Sequence, residues 1–137
     1  MRQLKKWRRF LARKKRTKRQ ILVKKLDVIT SKIIRARDGA CVLCGSIENL
    51  TNGHVFSRRH NATRWDILGD GNCHCQCWGC NYKHSYDNYE YYKWYTNKFG
   101  VEAFENLRAR YTTICKLSIP ELEEMYEKYS QLYKEIK

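Results

Sequence analysis

Two cysteine pairs carry the clearest chemical pattern in this chain. Each pair is a C-x-x-C, the first at Cys41 and Cys44 and the second at Cys77 and Cys80. Two residues between cysteines form a tight turn that directs both sulfurs at one ion, and two such pairs supply the four thiolates of a tetrahedral zinc site. Because four thiolates leave no open position, the predicted zinc is structural. It would hold together a loop-rich segment that buries too little apolar surface to fold alone.

Polar residues between and beside these pairs suit the hydrolysis of a phosphodiester. His54 is the predicted general base, because an imidazole can take a proton from an attacking water near neutral pH. Asn72 would hold that imidazole in one tautomer by accepting its other N–H. Asn81 would bind a catalytic divalent ion, Mg²⁺ or Mn²⁺, which neutralises charge on the scissile phosphate. Arg64 would clamp the phosphate with two hydrogen bonds.

The glycine at position 53 complicates this metal site, because many HNH nucleases have a metal-binding Asp or His directly before the base. Another residue must then complete the ligand set. His74 is the first candidate, since it shares a strand face with Asn72. In a rival assignment, His54 is itself a ligand and His74 is the base. The expected ligands of the catalytic ion are Asn81, His74 and Asp66, and further candidates are His60, His84 and Asp87.

The apolar periodicity predicts the elements that position these residues. We expect helices over 18–37, 78–97 and 101–111, a last helix from 118 onward, and strands over 50–56 and 72–76 joined by a loop over 57–71. The period of two in the second strand places Asn72, His74 and Gln76 on one face and Cys73 and Cys75 on the other. We interpret these two cysteines, with Cys115, as packing residues; the alternative, in which Cys73 or Cys75 is a zinc ligand, breaks the symmetry of the two C-x-x-C pairs. The predicted fold is a small α+β fold: a zinc-stapled ββα-metal core flanked by N- and C-terminal helices.

The positive charge is concentrated at the N-terminus. Residues 1–25 contain 13 Lys or Arg and no Asp or Glu, whereas residues 26–137 contain 15 Lys or Arg and 14 Asp or Glu. Such an arm suits a polyanion, so we predict a DNA-binding arm over 1–20, disordered or nascently helical, a nuclease domain over 21–111 and an amphipathic helix over 112–137. The predicted DNA-binding residues are Lys5, Lys6, Arg8, Arg9, Arg13, Lys14, Lys15, Arg16, Arg58 and Arg59.

The compartment is inferred from what the sequence lacks. There is no apolar run long enough to span a membrane, and the basic N-terminus has no apolar stretch typical of a secretory signal. The odd cysteine count, 7 in all, and the paired spacing favour reduced thiols over disulfides. We therefore expect a reducing, cytosol-like compartment and no membrane partner.

The order of these residues resembles that of HNH nucleases, and one family in particular. The run from Asn72 to Asn81 (N-C-H-C-Q-C-W-G-C-N), together with Gly53-His54 and Arg64-Trp65-Asp66, is similar to the lambdoid phage NinG family of recombination endonucleases, also called Rap. The segment from Ile34 to Gly39 and the Phe99-Gly100 pair match as well. The similarity covers about residues 24–110. Where this family usually has S-G-N, the chain has Ser85 to Asn88 (S-Y-D-N).

The resemblance implies a function that composition and spacing do not. It implies a metal-dependent endonuclease that cleaves branched DNA, such as D-loops or Holliday junctions, in the cytoplasm of a bacterial host during phage recombination. It also implies that a glycine before the histidine is compatible with activity. Two other readings stay open: a non-catalytic zinc-stapled DNA-binding accessory module, and an HNH nuclease acting on linear duplex.

Cleavage of a junction requires two cuts, which favours a homodimer. The apolar stripes at Leu22–Ile33 and Leu122–Ile136 are the available dimer faces, although each could equally form internal core.

Overall fold

The computed structural model describes residues 2–11 and 15–136. Within these ranges the chain forms a two-stranded antiparallel sheet and seven helices. In chain order the elements are α1 (Arg2–Leu11), α2 (Lys18–Asp38), β1 (Leu50–His54), α3 (Asn61–Arg64), β2 (Cys73–Cys77), α4 (Trp78–His84), α5 (Tyr89–Phe99), α6 (Val101–Tyr111) and α7 (Ile119–Ile136). The predicted small α+β class is confirmed.

The long helix α2 begins and ends where its sequence predicts. Thr17 and Gln20 form a capping box, in which each side chain accepts a hydrogen bond from the other residue's backbone N–H. Gly39 ends the helix with a φ of 70°, a left-handed conformation that glycine adopts without steric cost. At α7, Ser118 and Glu121 form a similar box.

The apolar stripes of α2 and α7 pack against each other. Leu22, Leu26, Ile29 and Ile33 form one core with Leu122 of α7, joined by partly buried side chains along the same helix. Both stripes are thus covered within one chain, as internal core. This is the second of the two uses that the sequence left open, and it leaves neither stripe as an exposed face for a dimer.

The hairpin of β1 and β2 separates its side chains onto two faces. His54 is paired with Cys73, and Gly53 is paired with His74. Because paired residues in an antiparallel sheet project to the same side, His54 and His74 lie on opposite faces. Cys73 and Cys75 pack against Ile34 of α2, in agreement with their interpretation as packing residues.

The predicted helix over 78–97 is two helices. α4 ends at His84, and Asp87 accepts the Tyr89 N–H at the start of α5 through its Oδ1, 3.1 Å away. A side chain that satisfies the first free N–H groups of a helix favours a new start there. α5 and α6 then cover the other hairpin face with a second, aromatic core that includes Tyr91 and Tyr95.

The basic arm is partly helical. α1 occupies half of the predicted arm, and its Leu4 and Trp7 are exposed. The predicted DNA-binding residues Lys5, Lys6, Arg8 and Arg9 are exposed on α1, and Lys15 and Arg16 are exposed before α2, whereas Arg13 and Lys14 lie outside the described residues. None of the described helices is both long enough and apolar enough to cross a bilayer.

Candidate functional site

The four cysteines of the C-x-x-C pairs meet in one cluster. The sulfurs of Cys41, Cys44, Cys77 and Cys80 all lie within 4.8 Å of one another. Tetrahedral zinc at about 2.3 Å from each thiolate keeps its sulfurs roughly 3.8 Å apart, and Cys44 Sγ lies 3.6 Å from Cys77 Sγ. The cluster is therefore positioned to bind a metal ion and fits the predicted structural zinc. In the described ranges it is the one group of three or more His, Cys, Asp or Glu side chains so placed.

The local backbone explains why the sulfurs converge. The Gly45 N–H donates to the Cys41 carbonyl over 2.9 Å, which closes the first turn, and the φ of 79° at Gly45 favours glycine. At the second pair, Cys77 ends β2 and caps α4, where its Sγ accepts the Cys80 N–H over 3.4 Å. A metal bound here would link the loop before β1 to the end of β2 and the start of α4.

The thiols of this cluster have divergent pKa values. Burial acts to raise the pKa of Cys41, but hydrogen bonds from the backbone amides of Cys44, Cys77 and Leu43 outweigh it and lower that pKa to about 7. Burial and the adjacent Cys77 thiol raise the pKa of Cys80. Four thiols this close cannot all become thiolates without a cation to offset their mutual repulsion.

A separate, basic cleft of about 1210 Å³ lies between α2, β1 and α4, and α6 contributes to its lining. Its cationic lining residues are Lys24, Arg35, Arg58, Arg59 and Arg108. Asp27 is the one carboxylate among its described lining residues. A concave surface with five cations and one anion attracts a polyanion. The predicted DNA-binding residues Arg58 and Arg59 are part of it.

His54 lines this cleft and is held in one orientation. Its Nε2 lies 2.8 Å from the backbone carbonyl of Arg64. Because a carbonyl can only accept, Nε2 carries the proton and Nδ1 carries the lone pair. Burial lowers the pKa of His54 below its ordinary value of 6.5, while the Arg64 carbonyl acts in the opposite direction. The ring is therefore neutral at pH 7 and able to accept a proton.

The side chain of Arg64 has a different role from the predicted phosphate clamp. Its Nε and Nη2 donate to the two carboxylate oxygens of Asp27, at 2.9 and 2.6 Å, and Trp65 Nε1 donates to the same carboxylate at 2.8 Å. Burial acts to raise the pKa of Asp27, but these hydrogen bonds outweigh it and lower it. The positive charge of Arg64 is thus paired with the Asp27 carboxylate on α2. Its guanidinium fixes the loop whose carbonyl holds His54.

Asn72 also acts through the backbone and does not contact His54 as predicted. Its Oδ1 accepts the Phe56 N–H at 2.8 Å, and its Nδ2 donates to the carbonyls of Phe56 and Thr63, at 2.8 and 3.2 Å. Asn72 is fully buried. The amide therefore braces the loop between the strands, and it positions Arg64 indirectly because Thr63 is the preceding residue.

His74 is neither in the cleft nor placed to bind an ion there, so its prediction as ligand or base is wrong. Its side chain is 2 % exposed and lies against aromatic rings of α5, with the Trp94 ring centroid 5.0 Å away. Nε2 donates to the Gly71 carbonyl at 2.8 Å, and Arg37 Nη2 donates to Nδ1 at 3.2 Å. Burial, assisted by the positive charge of Arg37, lowers the pKa of His74 to about 4.

Gly53 has a steric explanation on the same face. A Cβ at this position would lie 2.1 Å from Oε1 of Gln76, a distance that real Cβ atoms do not adopt. The side chain of Gln76 is fully buried over Gly53, and Tyr91 donates its hydroxyl to the Gly53 carbonyl at 2.7 Å. The missing acid before His54 therefore reflects packing on the face opposite the cleft.

Asp66 does not line the cleft, which contradicts its prediction as a catalytic metal ligand. Its Oδ2 lies 2.6 Å from Nη1 of Arg110 on α6, and its Oδ1 accepts the Leu68 N–H at 3.4 Å. The carboxylate is 8 % exposed. Asp66 therefore anchors the loop to α6.

Asn81 and His84 line the cleft from α4. Asn81 Nδ2 donates to Thr51 Oγ1 at 3.1 Å, which leaves its amide oxygen available to a cation. His84 Nε2 donates to the Val55 carbonyl at 2.9 Å, and its buried Nδ1 has no hydrogen-bond partner among the described residues. An imidazole lone pair and an amide oxygen three residues apart are ligand types for a divalent ion that keeps waters and binds substrate phosphate, but the His84 Nδ1 is buried and would have to turn toward the cleft to reach such an ion. Asn81 lies on the cleft, and its role as a metal ligand stays a prediction.

Two cleft residues, Asp27 and His84, are more important to the site than the sequence indicated. Nothing in the local sequence marks Asp27, because its partner Arg64 is 37 residues away. His84 was one of several candidate histidines. Its spacing of three from Asn81 on one short helix was the signal that could have ranked it above His74.

These features define a small α+β protein with a four-cysteine cluster positioned to bind a metal ion, and with a separate basic cleft. The chain belongs to the family described as the bacteriophage lambda NinG protein, whose family model matches residues 2–137. The match is wider than the expected 24–110 and includes both the basic N-terminal segment and the last helix. A search of curated proteins and a search of solved structures each found no match.

Proposed function

We propose that this protein is a metal-dependent, structure-selective DNA endonuclease with an HNH, or ββα-metal, site. The single observation that carries the proposal is His54: a neutral imidazole with an accepting Nδ1, fixed by the Arg64 carbonyl, on the wall of a basic cleft. The order β1, β2, α4 supports it, because it places His54 and Asn81 on the same cleft. Membership of a phage protein family fits a role in phage DNA recombination.

His54 would remove a proton from the water that attacks the scissile phosphodiester. A proton accepted at Nδ1 gives an imidazolium, and the hydrogen bond from Nε2–H to the Arg64 carbonyl stabilises that charged form. Asp27 adds to this stabilisation, because its negative charge acts to raise the pKa of His54. In this proposal His54 is the base, the Arg64 carbonyl orients it, and the ion pair between Arg64 and Asp27 fixes that carbonyl.

The cleft residues fit a weakly held divalent ion. Asn81 and His84 would hold it, and the ion when bound would neutralise charge on the phosphate and the leaving oxygen. Asp27 is occupied by Arg64 and Trp65, so water and DNA phosphate must supply the remaining ligands. We therefore expect metal to bind tightly only when DNA is present.

DNA is the proposed partner, held mainly through its phosphates. The five cations of the cleft and the exposed basic residues of α1 supply sequence-independent contacts. We further propose a homodimer, because a junction requires two cuts, and a bacterial host's cytoplasm as the site of action. With the α2 and α7 stripes covered, such a dimer would use another surface.

The test is a cleavage assay on four-way junctions, D-loops and matched linear duplex, with Mg²⁺ or Mn²⁺ and with no added divalent ion. We expect metal-dependent cuts near the branch point and at least tenfold slower cutting of the duplex. Equal cutting of junction and duplex would support the linear-duplex nuclease. A chelator control is unsuitable, because it would also remove a metal ion bound by the four cysteines.

One observation favours a non-catalytic DNA-binding module. In the described ranges the cleft contains no group of three His, Cys, Asp or Glu ligands, unlike the cysteine cluster. The same assay separates the two functions, since tight binding to junctions without cutting under either metal would support the module.

A further inference from the structure

An exposed row of aromatic side chains lies on α4 and the turn that follows it. Trp78, Tyr82 and Tyr86 are 64, 59 and 70 % exposed. The Trp78 and Tyr82 rings stack with centroids 5.4 Å apart and planes 9° apart, and Tyr86 meets Tyr82 edge-on at 5.7 Å. Tyr91 and Tyr95 of α5, by contrast, are fully buried. The aromatic row is therefore surface, whereas Tyr91 and Tyr95 are core.

The row is continuous with the basic cleft. Its members are spaced by four residues, so they share one side of the helix. Asn81 and Ser85 lie beside them at the neighbouring helical positions, and both line the cleft. A strand that follows the cleft along α4 thus reaches the aromatic row directly.

We propose that the aromatic row is a stacking platform for unpaired bases of a DNA strand whose phosphates lie in the basic cleft. This inference rests on the proposed function for its DNA substrate and adds how a branch would be recognised. Every base has a π-face, so stacking on aromatic side chains binds single strands with little sequence preference. In an intact duplex those faces are already covered by neighbouring base pairs.

The chemistry of the face favours DNA over a protein partner or a second copy. The row consists of two tyrosines and one tryptophan, and it adjoins a cleft with five cations and one carboxylate, which is complementary to phosphate. Aromatic rings beside a positively charged groove are the usual composition of surfaces that bind single strands.

The test compares two substitutions of one exposed residue. Tyr82→Leu removes the ring but keeps an apolar side chain, whereas Tyr82→Phe keeps the ring. Binding of the full chain to a labelled fork with a single-stranded arm, and to the matched blunt duplex, is measured by fluorescence anisotropy without added divalent ion. We expect Tyr82→Leu to weaken fork binding about fivefold or more, the equivalent of about 1 kcal/mol. Duplex binding should change less than twofold, and Tyr82→Phe should bind both as wild type does.

Tyr89→Leu is the matched control, because Tyr89 is 60 % exposed but belongs to α5. It should leave fork binding unchanged. Unchanged fork binding in Tyr82→Leu, or an equal loss on fork and duplex, would overturn the proposal. A change of oligomeric state in Tyr82→Leu alone, measured by light scattering, would show instead that the row is an interface between copies.

The readout does not require cleavage, so the two proposals fail separately. A protein that cuts no DNA but loses fork binding in Tyr82→Leu keeps the stacking platform and loses the nuclease assignment. If the protein cuts junctions and Tyr82→Leu binds the fork as wild type does, the nuclease assignment stands and the stacking platform is refuted.

Discussion

His54 and His74 lie on the two paired strands of one hairpin, yet their surroundings give them opposite roles. His54 lines a basic cleft, where a single backbone carbonyl holds its ring. His74 lies on the other face under the aromatic rings of α5, and both of its ring nitrogens are hydrogen-bonded. A histidine of the right type and spacing is therefore suited to catalysis only if the tertiary structure leaves one nitrogen facing substrate.

The largest expected effect comes from removing the four-cysteine cluster, which supports the hairpin that carries both histidines. Replacing Cys44 by serine should abolish zinc binding and unfold the central segment, because structural zinc contributes about 10–16 kcal/mol and a small domain has only about 5–15 kcal/mol of stability. Metal content by mass spectrometry and helix content by circular dichroism measure this. Cys115→Ser is the matched control and should retain one zinc. A folded, zinc-free Cys44→Ser protein would show that the cluster is dispensable.

The next effect tests the packing role of His74 by its contribution to stability. His74→Ala should lower the free energy of unfolding by about 2–4 kcal/mol, because it leaves a cavity under α5 and removes two buried hydrogen bonds. Urea unfolding at pH 7 measures the change. His60→Ala replaces an exposed histidine and should cost less than about 1 kcal/mol. If His74→Ala were as stable as the wild type, its interpretation as a packing residue would be wrong.

Asp27→Asn tests whether the loop that orients His54 matters for chemistry. The substitution weakens the hydrogen bonds that hold Arg64 and makes the cleft one charge more positive. The first change should lower the cleavage rate, whereas the second should favour DNA binding. We expect DNA binding to be equal or tighter, while cleavage under single-turnover conditions falls about tenfold as the base loses its fixed position. Glu105→Gln, which neutralises an exposed acid on α6, should change neither quantity. Faster cleavage in Asp27→Asn would indicate that only cleft charge matters.

The smallest effect concerns pH. With His54 as the proposed base, cleavage requires its neutral form, and burial lowers the pKa of this group, so the acidic limb of the rate should lie below pH 6.5. The positive charge of Arg58 also acts to lower that pKa. Arg58→Gln should therefore move the limb to higher pH, whereas Arg59→Gln should weaken DNA binding without moving it. A limb unmoved in Arg58→Gln would argue against His54 as the titrating base.

The sequence predicted best what depends on local spacing. The cysteine pairs, the α2 and α7 stripes and the strand positions all follow from rules that act within a few residues. The placement of His54 and Asn81 on one cleft followed from the order of strand, strand and helix. The break between α4 and α5 was missed because the tyrosines continue through it, and only Asp87 and Asn88 signal the interruption.

The errors concern partners that lie far apart in sequence. Period two showed that His74 shares a face with Asn72, but it could not show that α5 covers that face. Arg64 looked free to bind phosphate because Asp27 is distant along the chain, and Asp66 looked available because Arg110 is 44 residues away. In each case a polar side chain found a tertiary partner, and only the fold reveals such pairs.

The most direct test of the central claim is the cleavage rate of His54→Ala on branched DNA, measured in single turnover with Mg²⁺ beside its dissociation constant for the same DNA. We predict a rate about 10²- to 10⁴-fold below wild type, with zinc content intact and binding within about twofold. Wild-type cleavage by this variant would contradict the assignment of His54 as the base.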